Sequence, residues 1–423
     1  MTDMTAGKSG EVLTTRDGTP LKAALAKALR REKMRAILLI APLLVFVLLT
    51  FIAPIADMLF RSVENQIVEE TLPSTVQALG TWNPDEQEIP DEPVFEALFQ
   101  DMKVAVKEKT HTQVGSRLNY ESPGISSLFR KTGRQIRRMD EGDYKAQFLD
   151  ADKRWGEANV WKTIKQFSPT YTDGYFLSAV DRKRSDTGIE AKPEREQIYI
   201  FLFWRTLFMS MVITFTCILL GYPIAFLLAN LPLRTSNILM ILVLLPFWTS
   251  LLVRTSAWKV LLQQQGVINE TLYQLGLVAD DGRLELINNQ TGTIIAMTHI
   301  LLPFMILPLY SVMKTISPSY VRAAKSLGAN DWTAFWRVYF PNTVAGIGAG
   351  SILVFILSIG YYITPELVGG TSGTFISNRI AYHISSSLNW GLAAALGTIL
   401  LVVVLVFYWL YDKIVGIDNV KLG

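Results

Sequence analysis

The side chains with most to offer chemically are a few ionisable ones set in long apolar stretches: Arg254, Glu366 and His299, with Asp57, Arg205 and Lys259 closer to the ends of such stretches. A charge at the centre of a bilayer costs about 3 kcal/mol or more, so each must reach the interface, find a partner, or face protein or water. Snorkelling accounts for Asp57, Arg205 and Lys259. For Arg254 and Glu366 it stands beside a second account, in which they line a polar pathway or form an interhelical pair. His299 reads as a packing histidine rather than a proton relay. Phe247, Trp248, Tyr361 and Tyr362 lie beside Pro246, Gly360 and Pro365, and join Arg254 and Glu366 as candidate pathway residues, with packing or an interfacial aromatic belt as the alternative. This is charge placement, not bond making.

Bond-making chemistry finds no equivalent. The phosphate-cradling pattern GxxxxGK[ST] is absent, and no Ser/His/Asp constellation is readable. His111, His299 and His383 are far apart, and the single cysteine, Cys217, lies in an apolar stretch. A metal cluster and an intramolecular disulfide therefore have nothing to build on. The chain reads as no enzyme by itself, with no catalytic, cofactor or metal residues. A net charge of +3 over 423 residues gives no electrostatic case for nucleic acid.

Half of the residues are hydrophobic, and they cluster. Residues 1–35 are polar, ending in a basic stretch with Arg30, Arg31, Lys33 and Arg35. The apolar run 36–60 exceeds the core of a secretory signal and is long enough to cross a bilayer. Residues 61–198 form a hydrophilic insert with the material of a folded core: Trp82, Trp155, Trp161, Phe129, Phe148 and Phe167. Asp91 and Pro93 open a helix with Phe95, Leu98, Phe99, Met102 and Val106 along one face. Residues 181–196 read as a solvated connector. Further spans follow at 199–229, 236–262, 292–316, 343–367 and 390–411, six in all, then a tail at 416–423. The fold class is an all-α polytopic membrane protein with a mostly helical insert. The positive-inside rule puts both termini and the 317–341 loop in the cytoplasm, because that loop carries Arg322, Lys325 and Arg337 against Asp331 alone. The insert then lies outside. Gly346, Gly348 and Gly350 predict a close helix contact, within the chain or across a dimer.

The densest local signals lie in Ser317–Pro341. Ser317 and Pro318 read as N-cap and first helical residue, and Gly328 as a left-handed helix end. Asn330 or Asp331 caps a second helix, with Trp332, Phe335, Trp336 and Tyr339 at i, i+3, i+4 and i+7, stopped by Pro341. This segment resembles the cytoplasmic loop of permease subunits of bacterial ABC importers: an EAA triplet, three residues, Gly, nine residues, a branched residue, any residue, Leu and Pro. Here it reads Arg322-Ala323-Ala324, Gly328, Val338, Phe340 and Pro341, with Arg in place of the Glu and Phe in place of the Leu. Gly221-Tyr222-Pro223, the segment 244–258 (LLPFWTSLLVRTSAW) and the segment 358–370 (SIGYYITPELVGG) are similar to the polyamine-type branch. The resemblance covers about 200–415, the permease core; the insert has no counterpart in it.

The resemblance implies a multi-pass protein of the bacterial inner membrane, importing a small solute, polyamine-like favoured, by alternating access. It implies ATP-binding cassette subunits that hold ATP and Mg, a second permease subunit and an extracytoplasmic solute-binding protein. Arg322, Ala323, Ala324, Gly328, Ala329 and Pro341 would belong to the loop that couples to the ATPase. Importers of iron(III), phosphonates, sulfate or opines are alternatives within the class. A membrane-anchored sensor is one outside it, as is a secondary transporter, for which midplane carboxylates and an internal repeat are missing.

Overall fold

A computed structural model of the chain describes residues 21–415 except Asp85, Asp186 and Thr187. Residues 1–20 of the basic leader, the tail 416–423 and Asp85 of the insert lie outside the described residues. The chain forms two units, divided after Phe60.

The first unit holds the span Leu29–Arg61 up to Phe60, and no side chain from Leu29 to Phe60 is buried. A helix apolar on all sides and bare needs lipid or partner helices around it. Its α-helix gives way to a π turn at Leu48–Ile52, two residues before Pro54, and the Ala53 N–H donates to the Leu48 carbonyl. Proline brings no N–H and crowds the carbonyl four residues back; widening the turn ahead of it relieves both.

In the second unit, the second span (Tyr199–Asn230), the fourth (Gln290–Thr315) and the fifth (within Asp331–Gly360) share one core around Met209, Ile213, Cys217, Met305, Ile306 and Leu309. Glycine lets the backbones approach. A Cβ on Gly350 would stand 2.6 Å from the Met305 sulfur, and one on Gly346 would stand 3.0 Å from Val312 Cβ. The contact predicted from Gly346 and Gly350 is thus made within the chain, against the fourth span. The last span runs Trp390–Lys413.

Three departures from the sequence reading concern the spans. Residues 236–262 are not one straight helix: Leu233–Trp248 and Leu251–Leu261 meet at 96°. Pro246 starts a short 3-10 turn, and Thr249 and Ser250 are extended. Counting this bent pair as one gives six spans, and without it five. The fifth span ends at Gly360, not 367; Tyr361 is extended, and a separate short helix, Ile363–Val368, follows. Pro341 does not stop the helix before it. A π turn at Phe335–Tyr339 again precedes the proline by two residues, the Asn342 side chain donates to the Val338 carbonyl (2.6 Å), and the helix continues into the span.

The insert is a helical cluster around aromatics. Helix Glu92–Glu108 has Pro93 in its first turn and buries Phe95, Leu98, Phe99 and Met102, while Val106 is half-buried. Trp155 and Trp161 are fully buried with their indole N–H groups satisfied, by Thr132 Oγ1 (2.9 Å) and the Trp155 carbonyl (2.8 Å). Each such ring removed from water contributes about 2–3 kcal/mol at most. Arg117, 5% exposed, is the polar keystone: it donates to Asn65 Oδ1 and Glu121 Oε1, both at 2.8 Å, and stacks on Tyr175 and Phe167. Asp181 apart, most described residues of the connector are exposed, and Arg182–Ser185 pairs antiparallel with Gly188–Ala191, a pairing that the sequence reading missed.

Three ties fasten the insert to the permease core. The Asp181 carboxylate accepts from the backbone N–H groups of Ile198, Tyr199 and Ile200, at 3.0, 3.1 and 2.8 Å, capping the second span. Tyr175 packs so closely on Gly391, at the start of the last span, that a Cβ there would overlap its ring. The Tyr120 hydroxyl donates to the Ser387 carbonyl at 2.5 Å.

Candidate functional site

The elbow at Ser317–Pro341 is built by its caps. Ser317 Oγ accepts from Ser319 N, and helix Pro318–Ser326 runs to Gly328, whose φ of +90° is open to glycine without strain. Ala329 N then bonds back to the Ala324 carbonyl at 3.0 Å, Asn330 Oδ1 accepts from Thr333 N at 2.8 Å, and Lys325 pairs with Asp331 across the bend. Of the two capping candidates, Asn330 is the one used.

No residue of Pro318–Ser326 is buried. Arg322, Ala323, Gly328 and Pro341 are exposed, while Ala324 and Ala329 are half-buried. The Arg322 guanidinium has no partner among the described residues. Leu327 is 89% and Trp332 71% exposed. A nine-residue helix held by no more than the partial burial of Val321 and Ala324 is marginal in water, so its exposed face is shaped for contact. Behind it the elbow is firmly backed: Phe335 and Tyr339 pack edge-on against Tyr222 and Phe226 of the second span, at centroid distances of 5.3–6.2 Å.

The candidate pathway residues separate into two groups. Arg254 turns back on the break in its own span, donating to the Thr249 carbonyl at 3.1 Å and Thr249 Oγ1 at 3.3 Å, and also to the Pro246 carbonyl. It adds to the Thr249 N–H and hydroxyl on the Pro246 carbonyl and caps the Thr249 carbonyl at the bend, and among the described residues it makes no ion pair. Phe247 packs edge-on against Phe304, and Trp248 is 87% exposed. Tyr362 and Glu366, by contrast, line a crevice of about 700 Å³ with Arg205, Asn378, Arg379 and Tyr382. Asn378 Nδ2 donates to Glu366 Oε2 (2.6 Å) and to the Tyr362 carbonyl (2.9 Å), and Ser377 Oγ to the Tyr361 carbonyl (2.6 Å). Arg205 is a tie rather than a snorkelling cation: it donates to the carbonyls of Thr371 and Ser372. His299 packs as read, accepting from Trp258 Nε1 at 3.1 Å.

Sequence reasoning missed helix Ile376–Ser385, which supplies Asn378, Arg379, Tyr382 and His383. Its signal is faint, an apolar face of Ile376 and Ile380 after a glycine-rich turn. His383 ties its helix to the start of the second span: Nε2 lies 2.9 Å from the Tyr199 hydroxyl and Nδ1 2.8 Å from Ser387 Oγ. Burial, with the positive charges of Arg379 and Lys192 nearby, holds its pKa down to about 4.

Residues 202–415, half of the chain, match the family described as binding-protein-dependent transport system inner membrane component. The spermidine/putrescine transport system permease protein PotB of Haemophilus influenzae is 35% identical over 222 residues, 52% of this chain and 77% of that protein. PotB of Escherichia coli is 33% identical over 224 residues, 52% of this chain and 81% of that protein. The inner membrane ABC transporter permease protein YdcU of Escherichia coli is 32% identical, covering 50% of this chain and 70% of that protein. Among solved structures, a bacterial alginate ABC transporter in complex with an alginate pentasaccharide-bound periplasmic protein aligns at TM-score 0.43 and 19% identity, over 53% of this chain and 80% of that one.

Proposed function

From the premise that the chain belongs to the family of binding-protein-dependent transport system inner membrane components, a transport family and not an enzyme one, we propose that it forms, with a second permease subunit, the path of an ATP-driven importer for a polyamine-class cation. ATP and Mg are held by partner ATPase subunits, and a soluble binding protein delivers the solute from outside. The exposed elbow carries this reading: a short, mostly exposed helix joins at Gly328 a second one that is backed by the second span and runs on into the fifth, an arrangement suited to take a push from an ATPase and pass it to the core. Its Arg322, Lys325 and Arg337 support a cytoplasmic side for it by the positive-inside rule, with the insert on the outside.

For the solute, the names of the PotB relatives favour a polyamine. The crevice supports that choice with one carboxylate, Glu366, and the exposed rings of Tyr362 and Tyr382, which suit an alkylammonium. Arg205 is already spent on carbonyls. Arg379 favours a second reading, an anionic solute such as a phosphonate. The test is ATP hydrolysis by the complex reconstituted with its binding protein. Spermidine or putrescine at micromolar concentration should stimulate it; stimulation by phosphonate and not by polyamines would reverse the choice.

A further inference from the structure

Helix Ile125–Gln135 and its one-turn extension Ile136–Arg138 carry a basic stripe of which Lys131 alone has an ion-pair partner among the described residues. Arg130, Lys131, Arg134, Arg137 and Arg138 stand at i, i+1, i+4, i+7 and i+8, and all five are exposed. The opposite face, with Leu128, Phe129, Thr132 and Ile136, is buried in the core of the insert. The carboxylate that the stripe touches is already taken. Asp152 is bound by Arg154 at 2.9 Å and Lys131 at 3.3 Å, and the Arg154 guanidinium holds it well below the usual carboxylate range. Arg130, Arg134, Arg137 and Arg138 make no ion pair among the described residues; Arg130 Nε donates only to the Ser126 carbonyl.

Position matters as much as charge. A Cβ on Gly115 would stand 2.8 Å from Phe129, and one on Gly133 would stand 2.6 Å from His111, so the stripe helix runs antiparallel to helix His111–Asn119. The turn between them holds Tyr120, which is fixed to Ser387. The stripe therefore leads away from an anchored end, over about 12 Å at 1.5 Å per residue.

We infer that this stripe is a docking surface for an acidic patch on the soluble solute-binding protein, an inference that rests on the importer reading above. Four of the five cations are arginine, whose planar fork matches carboxylates where lysine would serve solubility as well. Insertion into an anionic lipid surface is disfavoured: it needs an exposed apolar face, and this helix spends its own on the insert. Unpaired charge of one sign on the binding-protein side speeds encounter and fixes orientation.

The test uses the full transporter in nanodiscs, with Arg130, Arg134, Arg137 and Arg138 all changed to Glu, or all to Lys. Association of the transporter's own binding protein is followed by stopped flow. At about 20 mM salt the Glu form should associate at least about tenfold more slowly than wild type, and the Lys form within about threefold. At about 500 mM, where screening acts within about 4 Å, all three should converge. Equal association of wild type and the Glu form at low salt overturns the inference. So does a Glu form whose only change is in how ATP hydrolysis depends on phosphatidylglycerol content, which would give the stripe to lipid. A wild-type complex whose ATP hydrolysis ignores the loaded binding protein would instead overturn the importer reading.

Discussion

Removing the Asp181 carboxylate should loosen the joint between the insert and the second span, and the cost can be worked residue by residue. Asp181 is 4% exposed and holds a left-handed φ of 57°. It accepts three N–H bonds, but among those donors only Tyr199, 6% exposed, belongs to a buried residue; water can reach Ile200, which is 47% exposed. One buried donor left bare costs about 1–3 kcal/mol, a lost cap about 1, and a Cβ residue without a polar arm in the left-handed region about 1 more. Asp181→Ala should therefore destabilise by about 3–5 kcal/mol. Asp181→Gly, which escapes the backbone strain, should lose about 1 kcal/mol less, and Asp181→Asn, which keeps one acceptor and tolerates the conformation, only about 1. Thermal unfolding of the solubilised protein should rank wild type, Asn, Gly and Ala in that order, with Ala lower than wild type by about 5 °C or more. Amide exchange should quicken at Ile198–Ile200 in the Ala form. An Ala form as stable as the Asn form, with exchange unchanged at those three amides, would refute the cap.

Three further perturbations address other joints. Gly328→Val places a β-branched residue at φ +90° with open space around its Cβ, so its cost of about 1–2 kcal/mol is conformational; the complex should assemble but lose stimulation of ATP hydrolysis by loaded binding protein, and retained stimulation would take the elbow out of the mechanism. Gly391→Ala drives a methyl into the Tyr175 ring and should cost about 1–3 kcal/mol, seen as a lower Tm and faster proteolysis within 174–196; wild-type behaviour in both would deny the packing. His383, held down to about 4 when folded against an ordinary 6.5, takes up its proton more readily unfolded. Stability should thus be full above about pH 6.5 and fall toward pH 4 by up to about 1.4 kcal/mol per pH unit, and His383→Gln should flatten that part of the curve.

What the sequence revealed and withheld follows the range of each signal. Ser317, Gly328, Asn330, Asp91 and Pro93 act within a turn of themselves, and local rules placed them. The aromatic core of the insert was legible because Trp155 and Phe95 have few other places to go. Asp181 was hidden in a run that reads as solvated, since the N–H groups it caps begin 17 residues later. Arg205 looked like a snorkelling cation because its carbonyl partners stand 166 and 167 residues away. Pro246 marked the break in the third span without giving its angle, and Arg254 looked like a pathway residue because the carbonyls it serves exist only once the helix has bent. At the crevice, Tyr362 and Glu366 could be named, but Asn378, which joins them, lies on a ten-residue helix that glycines on one side disguise as loop.

The π turn at Phe335–Tyr339 gives this helix one residue more than an α-helix of the same path would hold, and both Tyr339 and Phe340 lie over the ring of Phe335. Since each α-helical residue advances about 100° around the axis, deleting any one of those five would close the turn to α-helix and swing everything before it by about that angle. The fifth span would keep its seat against Met305 and Val312, while the Pro318–Ser326 helix would face a different quarter of its surroundings. A one-residue gap here would be a change of rotational phase rather than a broken helix.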